Sequence, residues 1–169
     1  APASYPRMTR LDNGDLLVSV ESAGASHVLI SEDDGATWSD PILAATAPDA
    51  VIAAVPSLLQ LASGRVLLAY NTRPPQDNVD PSRRFGIELA ASSDGGRSWE
   101  PWADVYDGGH TWGTGVWEPA MIQLGTGEIL LYFANESPFP GSSDQEISLA
   151  RSTDEGRTWS APERGSYRQ

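Results

Sequence analysis

The chain has 169 residues, with 11 Lys and Arg against 23 Asp and Glu, two His, no Cys, 16 Gly, 13 Pro and six Trp. A formal charge of −12 repels phosphate backbones and anionic lipid, so neither nucleic acid nor a membrane surface is expected as a partner. The lack of cysteine excludes disulfides, thiolate metal sites and cysteine nucleophiles, while 40% hydrophobic residues suffice for one ordinary core or one repeat array.

From the N-terminus, residues around Pro6 read as a strand closed by the turn Asn13-Gly14, and 15–20 as its antiparallel return. Residues 27–30 form a third strand, an octet occupies 31–38, and a short fourth strand ended by Pro41 is expected. The series restarts at Pro56, with the turn Ser63-Gly64, strands at 65–70 and 87–90, an octet at 92–99 and a stop at Pro101. It restarts again at Pro119, with Thr126-Gly127, strands at 128–133 and 147–150, an octet at 152–159 and a stop at Pro162. Four antiparallel strands per unit, repeated three times, predict an all-β chain of three β-propeller blades at about 1–50, 51–114 and 115–169, forming one partial propeller domain. No long 3.6-residue periodicity of an amphipathic helix interrupts the pattern.

The octets share S-x-D-x-G-x-[ST]-W: Ser31, Asp33, Gly35 and Trp38; Ser92, Asp94, Gly96 and Trp99; Ser152, Asp154, Gly156 and Trp159. A hydroxyl and a carboxylate that bond turn amides, a glycine for a forbidden dihedral and an anchoring indole make a folding device. A calcium loop is the alternative, but its distal Glu is missing, so no metal or cofactor is expected.

Propellers bind ligands at one mouth of the channel, near the start of the innermost strands. Before the third of these, residues 106–119 gather His110, Trp112, Trp117 and Glu118 among glycines. Indoles stack on sugar faces and carboxylates act at the anomeric carbon, so this composition suits a glycan site. Equally, the two Trp can be packing between blades and Glu118 a strand cap. His27 and His110 form no metal spacing, no nucleophile elbow or phosphate loop is present, and Asn135-Glu136-Ser137 is a glycosylation sequon.

The octet is the Asp-box, and residues 6–162 resemble the sialidase-type, Asp-box (BNR repeat) β-propeller superfamily. The runs 5–11, 116–119, 132–136 and 145–147 look like those of bacterial sialidase-like hydrolases and fungal exo-arabinanases. That resemblance implies half of a six-bladed glycoside hydrolase acting on exposed glycan ends, with a carbohydrate ligand. It implies Glu118, in its Trp-Glu-Pro context, as general acid/base and Arg7 as a substrate contact; His110, Trp112 and Trp117 of the entry segment, and Arg73 and Glu136, which occupy equivalent places 17 residues beyond Pro56 and Pro119, complete the candidate substrate-binding set. A second carboxylate would come from Asp49, Glu136, Asp144 or Glu146. True sialidases carry an Arg two residues before the first inner-strand Pro; Ser4 stands there, which favours an exo-arabinanase-like or another glycosidase activity over sialidase activity. Three blades cannot close a ring, so a missing second half or a second copy, as a homodimer, is expected to complete it. The rival reading is a non-catalytic carbohydrate-binding or self-assembling half-propeller. The opening residues show no signal peptide and suit a mature secreted or periplasmic protein.

Overall fold

A computed structural model describes residues 2–48 and 50–167. The first sheet contains β1 (Ala3–Arg10), β2 (Leu16–Ser22), β3 (Ala25–Ser31) and β4 (Ile42–Ala45). The second contains β5 (Ile52–Gln60), β6 (Val66–Arg73), β7 (Gly86–Ser92) and β8 (Glu100–Asp107), and the third β9 (Val116–Gln123), β10 (Ile129–Asn135), β11 (Glu146–Ser152) and β12 (Glu163–Tyr167). Every sheet is antiparallel with spatial order equal to chain order, the meander of a propeller blade. A 3-10 turn, Trp112–Thr114, precedes β9.

The hairpins joining the first two strands of each sheet are built alike. Leu11 N–H donates to Asp15 O at 2.8 Å and Gly14 N–H to Leu11 O at 2.9 Å, and the pairs recur at Leu61, Arg65 and Gly64 and at Leu124, Glu128 and Gly127. The glycines sit at φ of 98°, 89° and 90°, the left-handed region the turn requires.

The fourth strands correct one expectation. Pro41 and Pro162 lie immediately before β4 and β12, and Pro101 is the second residue of β8, so these prolines open the outermost strands and do not end them. A proline has no N–H to give a ladder and is tolerated at the start of an edge strand.

The core lies at the two junctions between sheets. Leu17, Val28 and Ile30 meet Leu68, Tyr70 and Ala90, and Leu67, Ala69, Phe85 and Ile87 meet Val116, Ile129, Leu131 and Phe133. Strand β6 feeds both junctions through alternate side chains, so its run is buried on both faces. Polar bonds repeat across the junctions: Asp12 N–H donates to Gln60 Oε1 and Ala62 N–H to Gln123 Oε1, both at 2.8 Å. At the second junction Trp102 lies between the Arg157 and Arg65 guanidinium groups, 3.2 and 4.2 Å from its ring centre.

Each Asp-box closes the β3–β4-type connection on itself. Gly35 N–H donates to Ser31 Oγ at 2.8 Å, while Asp33 accepts from Ser31 Oγ (2.9 Å), Thr37 N–H (2.8 Å) and Thr37 Oγ1 (2.7 Å). The Asp94 and Asp154 boxes repeat the set with Ser98 and Thr158. Bonds from the Thr158 hydroxyl and N–H hold the Asp154 carboxyl at about 2. For Asp94, slight desolvation, which raises it, is outweighed by bonds from Ser98, Ser92 and Arg97 that bring it to about 2. The Thr37 hydroxyl and N–H lower Asp33 in the same way. A carboxyl lowered by folding stabilises the fold above its unfolded value near 3.8, and that contribution disappears as pH falls through the folded value. Denaturant midpoints are therefore expected to drop between about pH 4 and pH 2, and the Asp94→Asn/Asp154→Asn double variant to show a shallower drop from a lower plateau. An unchanged pH profile in the double variant would contradict the box as the source.

Candidate functional site

Antiparallel pairing places the starts of β1, β5 and β9 beside the ends of β2, β6 and β10: Ala3 opposite Ser22, Ile52 opposite Arg73, Val116 opposite Asn135. The Asp-boxes and glycine turns lie at the opposite end of every sheet. The mouth end therefore collects Arg73, Trp117, Glu118, Glu136 and Glu146, with His110 and Trp112 in the segment that enters β9.

One backbone feature repeats at this end. Tyr5, Val55 and Glu118, each directly before a proline, have φ of 52°, 49° and 52°. The ladder slips at the same places: between Ser4 and Arg7, between Ala54 and Ser57, and between the partners of Trp117 and Ala120. These are bulges whose left-handed residue costs about 1–3 kcal/mol, most for a β-branched side chain such as Val55. Since buried Val55 shares the geometry, the strain belongs to the inner strand of every blade, and Glu118 inherits it. The same kink leaves Val55 buried between blades and Glu118 at the surface. The carboxylate is exposed and makes no ion pair or side-chain hydrogen bond among the described residues.

An aromatic cluster precedes it in the chain. Trp112 and Trp117 lie 5.4 Å apart between ring centres, and both rest on fully buried Phe85, at 5.7 and 5.0 Å in edge-on contacts. Trp117 is half-buried in the junction core, whereas Trp112 is 37% exposed. The loop carrying Trp112 is held from below: Phe85 N–H donates to Gly109 O at 2.8 Å, Gly108 N–H to Phe85 O at 2.7 Å, and Asn78 Nδ2 to His110 O at 2.9 Å. Glu136 N–H donates to Gly115 O at 3.0 Å, which ties the β10 exit to the same loop.

Other candidates have other employment. Arg73 pairs with Glu21 at 3.0 Å, both mostly buried, and Glu21 also accepts from the strained Val55 N–H at 3.4 Å. Glu146 is buried, paired with Arg164 at 2.7 Å, and accepts from Ser148 Oγ at 3.1 Å. Asp144 accepts from Ser142 Oγ at 2.7 Å in an exposed turn. Arg7 is exposed and donates to its neighbour Pro6 O. Asp49 lies outside the described residues. Sequence reasoning missed Glu21, whose partner is 52 residues away, and Phe85, a lone aromatic in a variable loop. The sequon asparagine, Asn135, is buried with its amide given to Ser148 Oγ at 3.1 Å, so it is no acceptor in the folded chain. Among the described residues no group of three or more His, Asp or Glu is placed to hold a metal.

Residues 3–112 match the family described as the BNR repeat-like domain. A sialidase of Bacteroides fragilis is 28% identical over 127 residues, 64% of this chain and 23% of that protein. Two solved structures share the fold over 98% of this chain: an α-L-arabinanase of Penicillium chrysogenum complexed with arabinobiose (TM-score 0.79, 23% identity) and an α-L-arabinofuranosidase of Fusarium graminearum with an iminosugar inhibitor (TM-score 0.80, 24% identity). The chain spans 50% and 49% of those two proteins and about a quarter of the sialidase.

Proposed function

The chain belongs to the BNR repeat-like domain family, and on that premise we propose that it forms half of the mouth of a glycoside hydrolase that removes sugars from exposed glycan ends. The observation that carries this reading is Glu118: an unpaired, exposed carboxylate next in sequence to Trp117, on the strand entered by the segment that carries Trp112. A protonated Glu118 can donate to the leaving glycosidic oxygen while an indole stacks on the sugar ring. His110 offers a hydrogen-bond donor to hydroxyls at the same mouth, and Arg7, exposed on β1 opposite Ser19, offers another further along an inner strand. Hydrolysis needs a second carboxylate. With Glu146 and Glu21 neutralised by arginines, that group comes from Glu136, Asp49 or the remainder of the ring. Activity therefore requires closure by a second half or a second copy. A secreted or periplasmic setting, where polymeric glycans are met, fits this role.

The neutralised carboxylates favour one alternative, a half-propeller that binds carbohydrate without cleaving it. Titrating arabino-oligosaccharides and sialyl-oligosaccharides onto the chain, followed by indole fluorescence and by release of free sugar, tests both. Saturable binding to one class, lost in Trp112→Ala, is expected; no response to either class would overturn the glycan reading, and binding by the closed ring without release would leave only the alternative.

A further inference from the structure

The two outer sheets each leave one face open, and the filled junctions show what such faces require. On the first sheet, Val18, Val20, Leu29 and Trp38 line an open groove of about 590 Å³, in which His27 Nδ1 is buried without a partner. In the second and third sheets the corresponding face is covered by the preceding blade. Three recurring elements make that cover.

The first is the Gln to N–H bond. Gln60 and Gln123, four residues after Pro56 and Pro119, accept from the preceding blade. Four residues after Pro6 stands Arg10, which can only donate, and which bonds Gly14 O at 2.9 Å and Asp34 at 2.8 Å. The second is a small residue five places after the turn glycine. Ser19 and Ala69 are fully buried there, and Ser19 Oγ donates to Pro56 O of the next inner strand at 3.1 Å. In the third sheet this place holds Tyr132. The third is the apolar residue after the fourth-strand proline. Ile42 and Trp102 pack into the two junctions, but the third sheet has Glu163, paired with Arg151 at 3.1 Å. Only the leucine that meets an Asp-box glycine, Leu17 with Gly96 and Leu67 with Gly156, keeps its counterparts, as Leu130 and Gly35.

We propose that the open face of the first blade docks a blade of different sequence, in a complementary half of the ring, and rejects the third blade of a second copy. This rests on the reading above that the arc is completed into a ring. A second copy would press Tyr132 where a small side chain is needed, set Glu163 into an apolar groove and oppose Arg10 to the Gly125 N–H, donor against donor. The fitting partner carries an apolar fourth-strand residue, a Ser or Ala on its second strand, an oxygen acceptor for Arg10 and a polar group for His27 Nδ1.

The test reads mass and not hydrolysis, so it stands or falls apart from Glu118. Light scattering and native mass spectrometry of the full chain are expected to show no two-chain species that depends on both open faces. A two-chain species abolished by Val18→Glu and also by Ile122→Glu, one on each face, would overturn the proposal, because only a ring closed copy on copy uses both. Restoring the recurring elements with Arg10→Gln, Tyr132→Ala and Glu163→Trp together is expected to double the mass of a chain whose circular dichroism matches the wild type. A correctly folded triple variant that remains a single chain would equally refute it.

Discussion

Replacing Glu118 with Gln is expected to lower kcat/KM for release of a terminal sugar by about 10²–10⁴-fold, with KM nearly unchanged. Gln keeps the size and the backbone geometry of the bulge but cannot donate a proton to the leaving oxygen. The loss should depend on the leaving group. An aryl glycoside that departs as a stabilised phenolate needs no protonation for departure, so its bond cleavage should be slowed far less than that of a natural oligosaccharide. Equal losses on both substrates would make Glu118 a nucleophile, and unchanged turnover would remove it from the chemistry. Glu136→Gln, at the same mouth, should cost less than tenfold if Glu136 only frames the site.

Phe85→Ala is expected to destabilise the chain by about 3–5 kcal/mol, the range for truncating a fully buried aromatic side chain. At this length that corresponds to roughly 6–20 °C in melting temperature. The ring supports Trp112 and Trp117 together and sits where the second blade meets the third, so the variant should also weaken sugar binding by freeing Trp112. Val79→Ala, 88% exposed in the same loop system, should be neutral. Chemical denaturation of both variants decides the matter: a loss under about 1 kcal/mol for Phe85→Ala would show that the junction core closes without its ring.

The blades were legible because their signals are local. A box from Ser31 to Trp38 or a turn at Asn13-Gly14 satisfies its own bonds within a few residues, and the structure shows the boxes closing on themselves. The opening prolines were misread because a proline marks a strand edge from either side. The bulge at Glu118 was invisible for a stronger reason: a residue before proline is biased toward extended backbone, so the sequence argues against the conformation the inner strands adopt. Arg73 was named as a candidate substrate contact, but its engagement by Glu21 depends on packing one blade against the next. The same holds for Glu146, whose neutralisation by Arg164 comes from a strand 18 residues further on. Candidate residues can be read from position, but whether a charge is free or spent is decided across strands.

The left-handed residue before proline also bears on how such a protein changes over time. Tyr5, Val55 and Glu118 are three occupants of one kink, an aromatic, an aliphatic and an acid. A duplicated blade arrives with that kink already built and already funded by the surrounding sheet. A single codon change there exchanges the side chain the kink carries, exposed as at Tyr5 and Glu118 or buried as at Val55, without any need to reinvent the backbone that holds it. Successive blades of a ring can thus be sampled independently for new mouth chemistry, while the boxes at the far end go on specifying the same scaffold.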